Sequence, residues 1–238
     1  MPDYAPRPLP EGGAWRVHPN AAAVPRLSHD GHGLNRYDDP LGRYAVRYVA
    51  ETLTGAMLET MARFRPAPEA EALLAAVEDV PADAHEHLDP VDGLQDWLAV
   101  QQVGRVTLAA PAPLLDVHDP ALLRDLDKHP LVRAALAESG LGTPLDPARL
   151  DEGVVRLGGP LGRPVTQALS RAVREWLPDV AGLAYRSRLD DQEWCWALWE
   201  DTDVEVRVEA LDTAHRHHRR AVQRAAQLLE VAVPPAWQ

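Results

Sequence analysis

The segment RYAVRYV, residues 43–49, has a two-residue period. Tyr44, Val46 and Tyr48 fall on one side and Ala45, Arg47 and Val49 on the other, which predicts a half-buried strand. A helical period follows. Leu53, Met57, Met61 and Phe64 form one stripe of a helix that should start near Thr52 and stop before Pro66. Further strands are expected at AWRVHP (14–19), RVTLAA (105–110), PLLDV (113–117), GLAYRS (182–187) and VEVRVEA (204–210). EWCWALW (193–199) is apolar on both faces, with Trp194, Trp196 and Leu198 opposite Cys195, Ala197 and Trp199. That pattern predicts a central strand covered on both sides.

Helical patterns fill the intervals. One is expected at residues 67–78, one or two short ones at 119–137, one over TQALSRAVREWL capped by Thr166, and one from about Thr213 to Glu230. Residues 79–93 are acidic and turn-rich, and residues 138–163, rich in Gly, Pro and Asp, read as a long connection. The prolines and glycines of residues 1–13 predict a loose tail. The division expected is a tail (1–13), one main domain (14–210) and a C-terminal helix packed on it (211–238). Interleaved helices and strands without repeats imply an α+β fold, with mixed β-sheets and flanking helices.

Charge narrows the function classes. The formal net charge is −12, a field that repels nucleic acid and anionic membrane, so neither is an expected direct partner. An anionic small molecule would need a local cluster of cations, and Lys128 is the only lysine, so that cluster would be built from arginine. Cys195 is the only cysteine and the N-terminus lacks the layout of a signal peptide, which together suggest the cytoplasm.

Glu59 lies off the Leu53/Met57 stripe, on a side shared with Leu58 and Ala62. Spacing alone leaves two readings open, a solvated carboxylate or one at the rim of a cleft. Arg36 is either a surface cation or a fork donor to phosphate. Tyr48 is either a core ring or one that stacks on a flat ligand, and Tyr185 and Ser187 project from one face at a strand end. The histidines at 215, 217 and 218 are flanked by arginines, with no carboxylate or cysteine completing a ligand set. His215 and His218 continue the Val222/Ala225/Leu229 stripe, so packing is the expectation and no metal is assigned.

The order of these residues resembles the RES domain family: an aromatic residue followed by Arg16, then Arg36, Tyr48, the glutamate of AMLE, and GLAYRS far downstream. The likeness spans about residues 14–200. It implies a fold similar to ADP-ribosyltransferase toxins and a toxin of a toxin–antitoxin pair that destroys NAD. It carries catalytic roles to Arg36, Glu59 and Ser187 and substrate-binding roles to Arg16, Tyr48 and Tyr185. The activity implied is that of an NAD glycohydrolase or NAD phosphorylase, with NAD as substrate and no cofactor, and the partner implied is an Xre-like antitoxin. A protein mono-ADP-ribosyltransferase and a degenerate, non-catalytic partner-binding protein are the alternatives. Where the family has a glycine pair and Trp-Asn, this chain has Leu34, Asn35, Tyr37 and Asp38. Losing the glycines limits backbone approach to a phosphate, and the Asp38 carboxylate is expected to repel one.

Overall fold

The computed structural model describes residues 4–19, 35–66, 90–143 and 146–238. The helix expected at 67–78, most of the acidic segment 79–93, and His85 and His87 lie outside them.

Seven strands form one sheet: β1 (Ala14–Pro19), β2 (Val46–Ala50), β3 (Gln101–Leu108), β4 (Leu114–Asp116), β5 (Gly182–Arg186), β6 (Trp194–Trp199) and β7 (Val204–Ala210). Their order is β4-β5-β6-β2-β1-β3-β7. Only β4 and β5 run parallel; the other neighbours are antiparallel. The helices are α1 (Leu53–Met61), α2 (Pro90–Ala99), α3 (Pro120–Leu126), α4 (Pro130–Glu138), α5 (Glu152–Arg156), α6 (Gly159–Trp176) and α7 (Arg216–Leu229). This is the α+β architecture with a mixed sheet that the patterning implies.

β6 is buried along its whole length. Cys195, Ala197 and Trp199 join the core under the helices, while Trp194, Trp196 and Leu198 pack in a second cluster on the other face. The second face is partly covered by the N-terminal segment, which is not a loose tail over residues 4–13. Arg7 N–H donates to the Leu114 carbonyl at 2.8 Å, Pro6 bridges Leu115, and the Trp196 indole donates to the Arg7 carbonyl at 2.9 Å. Prolines fix an extended chain, and an extended chain laid on a sheet edge is as compatible with them as a solvated one.

Other boundaries also differ from expectation, among them the start of α6 and the start of β2. Thr166 does not cap α6. The helix starts at Gly159, with Pro160 in its first turn, where the missing N–H is no loss. Thr166 lies inside, its hydroxyl donating to the Gly162 carbonyl at 3.2 Å. The long connection 138–163 therefore contains α5 and the first turn of α6. In β2, residues 43–45 are not strand, because the buried Asp39 carboxylate captures Arg43 through its backbone N–H and its Nε, each at 2.8 Å. α1 starts beside Thr52, as expected, and Thr52 caps it, accepting from Gly55 N–H at 2.9 Å. His218 is buried in α7 with Val222, Ala225 and Leu229, but His215 stays exposed ahead of the helix.

Candidate active site

A cleft of about 790 Å³ opens beside α1. It is bounded by β1, β2, the turn after α1, the start of α6, and the end of β5. Trp15, Arg16, Arg36, Tyr48, Glu59 and Tyr185 all line it. Five of the six site residues singled out in the sequence thus converge on one cavity, and the sixth, Ser187, lies directly behind it.

Ser187 is fully buried. Its hydroxyl donates to Glu59 Oε1 at 2.6 Å and accepts from Leu189 N–H at 3.0 Å. A hydroxyl has one proton to give, so Ser187 orients the carboxylate and does not reach into the cleft. Glu59 is exposed toward the cavity, one face of its carboxyl fixed by Ser187. The helix carrying Glu59 is itself pinned: Thr52 donates from its hydroxyl to the Glu193 carboxylate at 2.7 Å. Burial raises the Glu193 pKa. Gly55 makes this packing possible, since a Cβ there would stand 2.5 Å from Glu193 Oε2.

The loop at 35–38 is tied to the sheet by the residue that departs from the family pattern. Asp38 accepts from the Tyr48 hydroxyl at 2.8 Å and from Asn35 N–H and Nδ2 at 2.9 and 3.0 Å. Tyr48 in turn accepts from Tyr37 N–H at 3.0 Å. The Asp38 carboxylate is thus engaged by three neutral donors, which gives it a role in holding the loop. Burial, and then the Asp38 charge, push the Tyr48 phenol well above its ordinary range, so it remains a neutral donor. Arg36 sits over the rings of Tyr37 and Tyr185, at 5.2 and 5.4 Å, and one of its terminal nitrogens donates to the Val155 carbonyl of α5. Its Nε is buried without a partner among the described residues.

The cleft is strongly cationic in an acidic protein. Six arginines line it (Arg16, Arg36, Arg63, Arg65, Arg163 and Arg188), against Glu59 as the one acidic side chain among the described lining residues. Four of them were not legible as site residues. Arg188 follows Ser187 directly, and its guanidinium packs so closely on Gly158 that a Cβ at 158 would stand 2.0 Å from it. Burial, and then the neighbouring Arg36 charge, lower the Arg188 pKa. Arg63 and Arg65 follow α1, and Arg163 comes from the first turns of α6, which sequence reading took for a connection. Cys195 also lines the cleft; burial pushes its thiol well up, which leaves it unreactive. Among the described residues no cluster of three or more His, Cys, Asp or Glu side chains could hold a metal ion, and no helix is long and apolar enough to cross a membrane.

Comparison with known proteins bears on the fold and the family. No curated protein matches the sequence significantly. The fold is similar to a chain of the M. tuberculosis MbcT–MbcA toxin–antitoxin complex, with a TM-score of 0.51 over 92% of each chain and 12% identity. At that identity the likeness speaks for the fold alone. The model of the RES domain matches residues 14–222, nearly the whole chain and every residue placed in the cleft, so the chain belongs to the RES domain family.

Proposed function

We propose that this protein cleaves the nicotinamide–ribose bond of NAD, with water or phosphate as acceptor. The observation that carries the reading is one carboxylate, oriented by a buried serine, facing a cleft whose other charged lining residues are all arginines and which also holds Tyr48 and Tyr185. Departure of neutral nicotinamide leaves positive charge on the ribose in an oxocarbenium-like transition state. A fixed carboxylate stabilises such charge without reorganising, by the logic of glycosidases. Glu59 takes that role, and the Ser187 hydroxyl holds Oε1 so that Oε2 faces the sugar. Arg36 and Arg188 would bind the pyrophosphate, since guanidinium forks bind phosphate bidentately and partial burial strengthens the attraction. Tyr48 and Tyr185 offer the flat wall suited to a pyridine ring.

A protein partner belongs to this reading. The similar chain in the M. tuberculosis structure is crystallised as part of a toxin–antitoxin complex. By kinship, an Xre-like antitoxin would occlude the cleft described here.

The test is incubation of the purified protein with NAD, with and without phosphate, followed by chromatography of nicotinamide and the ribosyl product. Nicotinamide release that Glu59→Gln reduces to a small residual rate is the expected result. The phosphate dependence of the product identifies the acceptor. Absence of release at high protein concentration would reject cleavage in favour of a non-catalytic binding role.

A further inference from the structure

Arg47 has no part in the site as described, yet its environment is unusual. It lies on β2 and is only 6% exposed. Its Nε and Nη1 are buried with no hydrogen-bond partner among the described residues, and the same two atoms of Arg16 are in the same condition. Neither arginine takes part in an ion pair among the described residues. They are also near enough to repel: burial, and then the Arg47 charge, lower the Arg16 pKa to about 10. Burying two like charges without a counter-ion is unfavourable, and such a pair persists where something else supplies the opposite charge.

The strand pairing explains how a ligand could reach them. β1 is paired along its full length with β3, and β2 along its full length with β6. Between β1 and β2 the one paired position is Trp15–Ala50. Trp15 and Ala50 face the helices. By alternation, Arg16, Val49 and Arg47 point to the opposite face. Arg16 and Val49 nevertheless line the cleft. The cavity therefore borders the seam between the two strands at Arg16 and Val49, while Arg47, on the same face of the sheet, does not itself line it. His18 stands on the same face, with Nε2 also unpartnered among the described residues.

We propose that Arg16 and Arg47 form a buried anion subsite in the split between β1 and β2, and that its ligand is a phosphate group. The group is either part of the dinucleotide pyrophosphate, which rests on the function proposed above, or free inorganic phosphate, which does not.

The experiment compares wild type with Arg47→Gln, which removes the charge and retains most of the side-chain volume. Thermal unfolding is followed with inorganic phosphate and with chloride at matched ionic strength. NAD binding is measured by calorimetry in a Glu59→Gln background, to prevent turnover. A subsite predicts that Arg47→Gln unfolds no earlier than wild type in chloride, because a buried unpaired charge has been removed. It also predicts loss of the phosphate-induced rise in Tm, or weakening of NAD binding by about tenfold or more, the size expected for one charge-assisted contact. Loss of the phosphate response alone assigns the subsite to free phosphate, and weakened NAD binding assigns it to the pyrophosphate. A lower Tm in chloride with phosphate response and NAD affinity both intact would overturn the proposal and make Arg47 structural. If wild type releases no nicotinamide but its phosphate response depends on Arg47, the subsite stands and the cleavage reading falls.

Discussion

Replacing Ser187 by alanine separates the two bonds that its hydroxyl makes. The first is the 2.6 Å bond to Glu59 Oε1, and the second is the 3.0 Å bond accepted from Leu189 N–H. A hydrogen bond to a charged group contributes about 1.5–3 kcal/mol, and a buried amide left without an acceptor costs about 1–3 kcal/mol. The two effects share one atom and do not add fully, so Ser187→Ala should destabilise by about 2–4 kcal/mol. For a chain of this length each kcal/mol lowers Tm by roughly 2–4 °C. The effect on catalysis is different in kind. Ser187 does not line the cleft, so KM for NAD should stay near wild type, whereas the carboxylate loses its fixed orientation. If only the first bond matters there, kcat should fall about 10–100-fold, since about 1.4 kcal/mol is tenfold in rate. The assay is nicotinamide release, run in wild-type and Glu59→Gln backgrounds. In the second background Ser187→Ala should change the residual rate by less than about twofold, because residues acting through one another are not additive. An equal loss in both backgrounds would refute the positioning role, and an unchanged kcat would show that Glu59 needs no such orientation.

Other outcomes follow from the same geometry. Asp38→Ala removes the acceptor for Tyr48 and Asn35, so the 35–38 loop should loosen, and KM for NAD should rise more than kcat falls as Arg36 loses its seat; unchanged kinetics would separate the loop from binding. KM for NAD should also climb as NaCl increases from about 0.05 to about 0.3 M, because screening weakens a six-arginine cleft, and a flat profile would contradict electrostatic capture. Burial lowers the pKa of His118 below its ordinary 6.5, and its Nε2 accepts from Arg186 N–H, so the neutral form is the native one. Its contribution is fully present above pH 6.5 and is lost as pH falls through the depressed value. His118→Gln should therefore show a shallower fall in Tm between about pH 7 and 5.5 than wild type, and equal slopes would count against this. Glu193, whose pKa is raised, works in the opposite sense and moderates the total.

The sheet was legible in the sequence where a strand's own side chains carry the period. β6 and β7 follow their patterns closely, and the order of short motifs singled out Glu59, Tyr48 and Ser187, which the fold brings together at the cleft. What was missed depends on partners far along the chain. Gln101 and Gln102 have no strand pattern, yet pairing with Pro19 and His18 draws them into β3. Arg163 reads as part of a glycine- and proline-rich connection, and only the packing of α6 brings it to the cleft. Arg188 could have been suspected from its place beside Ser187, but an arginine at a strand end is ordinarily solvated. The residues outside the family pattern at 35–38 looked disruptive because a sequence shows a charge without showing the donors that surround it.

The sheet order has a consequence for synthesis of the chain. The strands that flank the cleft, β1 and β2, emerge early, but β2 is held on its other side by β6, and Glu59 is oriented by a residue 128 positions later. The N-terminal segment is fastened to Trp196, 189 residues from Arg7. Such long separations slow folding, since distant loops must close before any contact rewards them. A growing chain on the ribosome would therefore carry Arg36, Tyr48 and Glu59 for most of its elongation without an assembled site. If the protein does consume NAD, its topology delays that activity until β5 and β6 have left the exit tunnel. A partner protein would then have that interval in which to be present before the cleft first forms.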